Sequence, residues 1–153
     1  MDEIATSDPL RLLALDGVQD PGNAGTILRT AAAFGAAAIF SLPGTVDLWN
    51  AKVVRSAMGA HFHHPCLACT WDELDAFRRS RHADVWGAAS EGEPLETVRP
   101  PERLLLVVGN EGSGLSPAAR QRSDRLVALS LAAGSESINV AVATGIFLYQ
   151  LRR

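Results

Sequence analysis

The sequence predicts an α/β domain with a mainly parallel sheet flanked by helices. Two observations carry that reading. Short apolar runs alternate along the chain with segments of helical periodicity, the order expected of strand–helix–strand units. The central runs, such as "RLLLVVG" (103–109), are apolar without a break, as strands covered on both faces must be.

The elements follow in order. "RLLALD" (11–16) reads as a first strand, and "GVQDPGN" (17–23) as a loop with Asp-Pro-Gly turn chemistry. "AGTILRTAAAFG" (24–35) places Ile27, Leu28, Ala31 and Phe34 at helical spacing and stops at Gly35. "AAAIF" (36–40) is a second strand, "NAKVVRSAMGA" (50–60) a short helix, and "HFHHPCLA" (61–68) a third strand. "TWDELDAFRRS" (70–80) starts with a capping box, Thr70 and Glu73, and continues as an amphipathic helix. "ADVWGAA" (83–89) is a strand, and "SEGEPLETVRPPE" (90–102) a polar, proline-bearing loop. After "RLLLVVG" comes "SPAARQRS" (116–123), a helix with Pro117 suited to its first turn. "DRLVALSL" (124–131) is the last strand, "AAGSES" (132–137) a loop and "INVAVATGIFLYQLRR" (138–153) the last helix. That helix has almost no polar face before Gln150, so burial on more than one side is expected, and in a domain this small a second subunit could supply one of those sides.

Composition limits the function. At 153 residues, 47% apolar and 20% charged, the chain is sized for one domain with one full core. Residues 1–10 form an N-terminal tail and residues 11–153 the domain, which leaves no separate RNA-binding domain ahead of it; the chain is either a minimal protein or a fragment. No apolar stretch is long enough to span a membrane, and "MDEIATSDPL" resembles neither a signal nor a transit peptide, so a cytoplasmic location is the default. A net charge of −3 argues against a protein that coats nucleic acid unaided, but leaves room for a local basic face.

Three strands end in unusually furnished loops: "GVQDPGNAG", "GNEGSGLS" and "LAAGSESIN". Each joins glycine to side chains that hydrogen-bond: Gln19, Asp20 and Asn23; Asn110, Glu111 and Ser113; Ser135, Ser137 and Asn139. In a parallel sheet, ligands sit outside the carboxyl ends of the strands. Side by side, these loops would make one pocket of backbone groups and a few acceptors. Blander roles compete: Asn23 as a helix cap, Arg29 as a surface arginine, Ser135 or Ser137 as cap of the last helix with Glu136 near its positive end, and Glu111 as a solvated acid. The pocket is not a standard nucleotide site, because neither a P-loop nor an early G-x-G-x-x-G is present. An acid among backbone carbonyls suits a cationic or hydroxyl-rich ligand.

"LDGVQDPGNAGTILRTAAAFG", "VVGNEGSGLS" and "LSLAAGSESINVAVATGI" resemble, in order and spacing, the three signature segments of the SpoU/TrmH family, RNA ribose 2′-O-methyltransferases of the SPOUT superfamily. The resemblance runs from about Leu12 to the end of the chain. It implies a C-terminal deep trefoil knot, S-adenosylmethionine as cofactor, tRNA or rRNA as substrate with DNA excluded, and a homodimer packed through the knot region and last helix. By position it implies that Gly109, Leu129, Leu131 and Ile138 contact the cofactor. It places Asn23, Arg29, Glu111, Ser137 and Asn139 at the active site, with Arg29 acting at the partner's cofactor. Ser130 departs from the family pattern, which has proline there, and implies a looser loop.

Other readings stay open. "HFHHPCLAC" offers His61, His63, His64, Cys66 and Cys69 as zinc ligands, with C-x₂-C spacing but no second pair. A binding module without transfer activity, and a SPOUT enzyme that methylates a base, both fit the fold. "RRSRH" (78–82) is either an RNA-facing patch or a solvated helix end, and Trp49, Trp71 and Trp86 either stack on bases or pack in the protein.

Overall fold

Every residue of β1 (Leu10–Asp16) is buried, so the first apolar run forms the centre of the molecule. The computed structural model describes residue 4, residues 8–133, residue 135 and residues 137–152; Glu136 lies outside them. Six strands form one sheet in the order β3-β2-β1-β5-β4-β6: β2 (Ala38–Ser41), β3 (Cys66–Ala68), β4 (Asp84–Pro94), β5 (Arg103–Gly109) and β6 (Arg125–Ala128). Every pairing is parallel.

Alternate residues of β1 and β5 point to opposite faces, and each face has its own core. Leu13, Leu15, Leu106 and Val108 pack with α1 (Pro21–Ala33), α2 (Ala51–Ser56) and α5 (Val140–Leu151). Leu12, Ala14, Leu105 and Val107 pack with α3 (Trp71–Ser80) and α4 (Pro117–Arg122). The α3 capping box forms in full, with the Thr70 N–H donating to Glu73 and the Glu73 N–H to Thr70. Ser116 caps α4, ahead of Pro117. No helix among the described residues is long and apolar enough to cross a membrane.

Two expectations need correction. "HFHHPCLA" is a strand only at Cys66–Ala68; residues Ala60–Phe62 form a single 3-10 turn. His61 turns inward there, with its Nε2 2.7 Å from the Leu48 carbonyl, which removes it from the strand face it would share with His63. The polar loop 90–102 is in part strand, because β4 runs on to Pro94. A bulge between Ala88 and Glu93 pushes the intervening residues out and lets Glu93 and Pro94 pair again with β6.

Topology locates the ligand edge. From β1 the chain leads through α1 to β2 on one side; from β5 it leads through α4 towards β6 on the other. The gap between β1 and β5 is therefore the switch point, where a crevice opens outside the strands' carboxyl ends. From the sheet edge at β6 the chain returns to the centre at α5, which packs against α1. Arg11, buried at the opposite end of β1, locks that return. Its Nε donates to the Leu151 carbonyl in the last turn of α5, and its Nη1 donates to the carbonyls of Leu10 (3.1 Å) and Glu102 (2.8 Å).

Candidate active site

The loops after β1 and β5 meet at the switch point and are bonded to each other throughout. Asp16 ends β1 and accepts from the Ser116 N–H (2.7 Å) and hydroxyl (3.0 Å). The Asn110 side chain donates to the Gly17 carbonyl at 2.8 Å, and its oxygen accepts from the N–H groups of Gly112 and Ser113, both at 2.9 Å. The glycines of "GNEGSG" are explained first by this loop itself. Gly114 has φ +70°, and a Cβ on Gly109 would lie 2.3 Å from the Gly114 carbonyl carbon. Asn110 and Gly114 pair back to back, so the loop folds tightly onto the end of β5.

Glu111 reaches across the switch point. It accepts from the Gln19 N–H at 3.1 Å, the Asp20 N–H at 3.0 Å and the Asn23 side-chain amide at 3.2 Å. Partial burial works to raise its pKa, but those hydrogen bonds outweigh it and leave the carboxyl below the ordinary range. Asn23 is not the cap of α1. Asp20 is, accepting the Asn23 N–H at 2.7 Å, which frees the Asn23 side chain to face Glu111. The Asn23 oxygen accepts from the Asn139 amide at 2.9 Å. Asn139, rather than Ser135 or Ser137, caps α5, through bonds from the N–H groups of Ala141 and Val142. Asn139, Asn23 and Glu111 thus form one chain of donors and acceptors linking the loops after β6, β1 and β5.

Beside this chain lies a cleft of about 530 Å³, within the range of cofactor sites. Gly109, Leu129, Leu131 and Ile138 all line it, together with Glu111 and Ser137. Its far wall is Ala88, Ala89, Ser90 and Glu91, displaced by the β4 bulge, with Arg120 of α4 paired to Glu91. Nothing in the sequence reading pointed to that wall. The pairing of Gly92 against the Val127 backbone needs glycine, and a glycine inside an apparent loop was the available signal. Ser130 donates to Glu96 on the short 3-10 turn after β4, so a hydrogen bond restrains the loop where the family has a proline ring.

Arg29 stands apart from the other predicted residues. It is exposed on α1 and has no hydrogen-bond or ion-pair partner among the described residues. Helical spacing puts it in the row of Gly22 and Gly25, away from Asn23. The zinc candidates do not converge: no three His, Cys, Asp or Glu side chains gather as a ligand set among the described residues. Burial pushes both thiols up to about 11, with Glu73 adding to the effect at Cys69. "RRSRH" is partly neutralised, because Arg78 pairs with Asp75 and Asp124. Trp86 is buried in the core and Trp71 lies under Arg122, whereas Trp49 is exposed.

The fold and the cleft define a parallel α/β protein with an open cleft at its switch point. The chain belongs to the SpoU rRNA Methylase family, whose model matches residues 11–149. It is 39% identical over 143 residues to the 23S rRNA (guanosine(2553)-2'-O)-methyltransferase RlmP of Bacillus subtilis, a match covering 93% of this chain and 58% of that protein. It is 35% identical over 155 residues to the 23S rRNA (guanosine-2'-O-)-methyltransferase RlmB of Escherichia coli strain K12, covering 99% of this chain and 63% of that protein. The chain therefore spans less than two thirds of the length of either relative. Among solved structures, the SpoU methyltransferase AviRb from Streptomyces viridochromogenes, in complex with the cofactor AdoMet, matches with a TM-score of 0.93 at 28% identity, over 99% of this chain and 60% of that one. The AdoMet-bound rRNA methyltransferase from Sinorhizobium meliloti matches at 0.90 and 32%, over 98% and 58%.

Proposed function

We propose that this chain is the catalytic domain of a cytoplasmic S-adenosylmethionine-dependent RNA methyltransferase that acts on a ribose 2′-hydroxyl, with ribosomal RNA as the substrate class its relatives favour. The observation that carries the reading is Glu111, which lines a cleft with Gly109, Leu129, Leu131 and Ile138 and accepts from Asn23, itself bonded to Asn139. The residues present fit the cofactor. Leu129, Leu131 and Ile138 offer apolar surface for an adenine, the tight Gly109–Gly114 turn presents backbone groups, and Ser137 and Glu111 are acceptors for an ammonium or a hydroxyl.

When bound, S-adenosylmethionine supplies an electrophilic methyl on a sulfonium whose sulfur leaves as a neutral thioether. The protein's task is alignment and removal of the 2′-OH proton. Glu111 and Asn139 hold Asn23 at the mouth of the cleft, where its amide meets the ribose. Ser137 holds the ribose or orders the water that takes the proton. Arg29 keeps its own proton, so it acts on the acceptor as a cation: it grips the adjacent phosphate and lowers the hydroxyl's pKa.

Arg29 does not reach its own cleft, which supports a site shared across a homodimer. The uncovered apolar stripe of α5, Val142, Ile146 and Tyr149, supports packing through that helix. The placement of α5 against α1, after β6 at the sheet edge, supports a C-terminal trefoil knot. The deciding test is calorimetry with S-adenosylhomocysteine on ligand-free protein, followed by nucleoside analysis of incubated rRNA. One site per subunit and a 2′-O-methylated nucleoside are expected. Arg29→Ala should keep cofactor binding and lose transfer. Absence of binding to the folded dimer would overturn the reading in favour of a module without transfer activity.

A further inference from the structure

The connection after β2, together with α2, shares the carboxyl edge of the sheet with Asn23 and Glu111. Thr45 joins it to the β1 loop, accepting from the Gly17 N–H at 3.0 Å and donating to the Leu15 carbonyl at 2.7 Å. Ser56, at the end of α2, donates to the Gly22 carbonyl at 3.1 Å. The two helices touch at Gly25, where a Cβ would lie 2.4 Å from that of Ser56. This surface is therefore fixed to the first turn of α1, where Asn23 stands.

Its composition differs from the rest of the molecule. Trp49 is 57% exposed, and Met58 and Phe62 are each 73% exposed. Trp49 rests against the buried His61, with ring centroids 4.9 Å apart, so its orientation is steadied while most of its surface stays in water. Lys52 and Arg55 are exposed beside these side chains and have no carboxylate partner among the described residues, as is also true of Arg29. Elsewhere, Arg78, Arg103, Arg120, Arg122 and Arg125 are each paired to an acid, whereas Arg79 and Arg99 are exposed with no ion pair among the described residues and no exposed aromatic ring is described at either. The acid nearest in sequence, Asp47, directs a carboxylate oxygen to the Trp49 N–H. A chain of net charge −3 thus leaves unneutralised cations where it also leaves aromatic rings uncovered.

We propose that this face, Trp49, Lys52, Arg55 and Phe62, binds the single-stranded RNA that flanks the target ribose. Trp49 and Phe62 stack on bases, and Lys52 and Arg55 meet phosphates. The inference rests on the RNA ribose reading above. Charge complementarity favours RNA here over a second copy of the chain: among the described residues, the cation beside the apolar stripe of α5 is Arg152, which is held over the Tyr149 ring.

The test is fluorescence anisotropy with a fluorescein-labelled, single-stranded RNA oligonucleotide of mixed sequence. S-adenosylhomocysteine calorimetry and sedimentation velocity are run on the same samples. Trp49→Ala or Phe62→Ala should weaken oligonucleotide binding roughly 5- to 100-fold. Lys52→Ala with Arg55→Ala should reduce the slope of log affinity against log salt by about 1.4. Cofactor affinity and sedimentation coefficient should not change. Wild-type affinity and slope in all variants would overturn the proposal, as would failure of the wild-type protein to bind the oligonucleotide. Dissociation of subunits in Trp49→Ala or Phe62→Ala would assign the face to a second copy and also overturn it. If these residues bind RNA but the protein transfers no methyl group, the ribose reading falls and this one stands; if every variant methylates and binds as the wild type does, the reverse holds.

Discussion

Glu111 commits both carboxylate oxygens to the β1 loop, so its charge is structural before it is chemical. Its folded-state pKa is lowered, so its contribution is fully present above the unfolded value, about 4.3 for a glutamate, and is lost as pH falls through the lower folded value. S-adenosylhomocysteine affinity, titrated calorimetrically, should therefore weaken with acidification below that range. Glu111→Gln should start weaker and show little further loss over the same window. A second residue-scale expectation concerns Gly109. Gly109→Ala sets a methyl against the Gly114 backbone and should cost about 1–3 kcal/mol in urea unfolding while distorting the cleft. The loops were legible as residue types: Asn23, Glu111, Ser137 and Asn139 each lie in a glycine-bearing loop region that follows a strand, and the family resemblance marked them out within it. Their bonds were not legible. Propensity weighs Asn23 as a cap on equal terms with its neighbours, and only the fold shows that Asp20 occupies that place.

At the scale of elements, α5 decides the most. Its inner face, Ala141, Thr144, Phe147, Leu148 and Leu151, is buried within the subunit, while Val142, at 56% exposure, and Tyr149, at 51%, remain uncovered. Val142→Asp with Ile146→Asp should turn a dimer into monomers in sedimentation velocity and abolish transfer. Each subunit should still bind cofactor, only more weakly. Unchanged sedimentation would remove α5 from the interface. The helices were largely legible, because capping residues and apolar spacing are local signals. The third strand was misjudged because its histidines look extended in sequence, whereas His61 finds its partner in Leu48 and curls the chain. The length of β4 was missed because a bulge interrupts the alternation of side chains by which a strand is recognised.

At the scale of the molecule, Arg11 joins the first strand to the last helix across the whole chain. Arg11→Met would strand the Leu151 and Glu102 carbonyls in a buried place, and should lower stability by roughly 2–4 kcal/mol, read as a urea midpoint shift. The parallel sheet was legible from the alternation of elements, but its strand order was not, since nothing local says that β5 inserts between β1 and β4. That insertion also constrains how the protein is made. Until β5 has been translated, β1 has β2 beside it and a bare edge on its other side. The partner for that edge, and the carboxylate that fixes the β1 loop, both emerge some ninety residues later. The nascent chain thus carries an open, strongly apolar strand until residues 103–111 have left the exit tunnel, and only then does the loop edge of the sheet close.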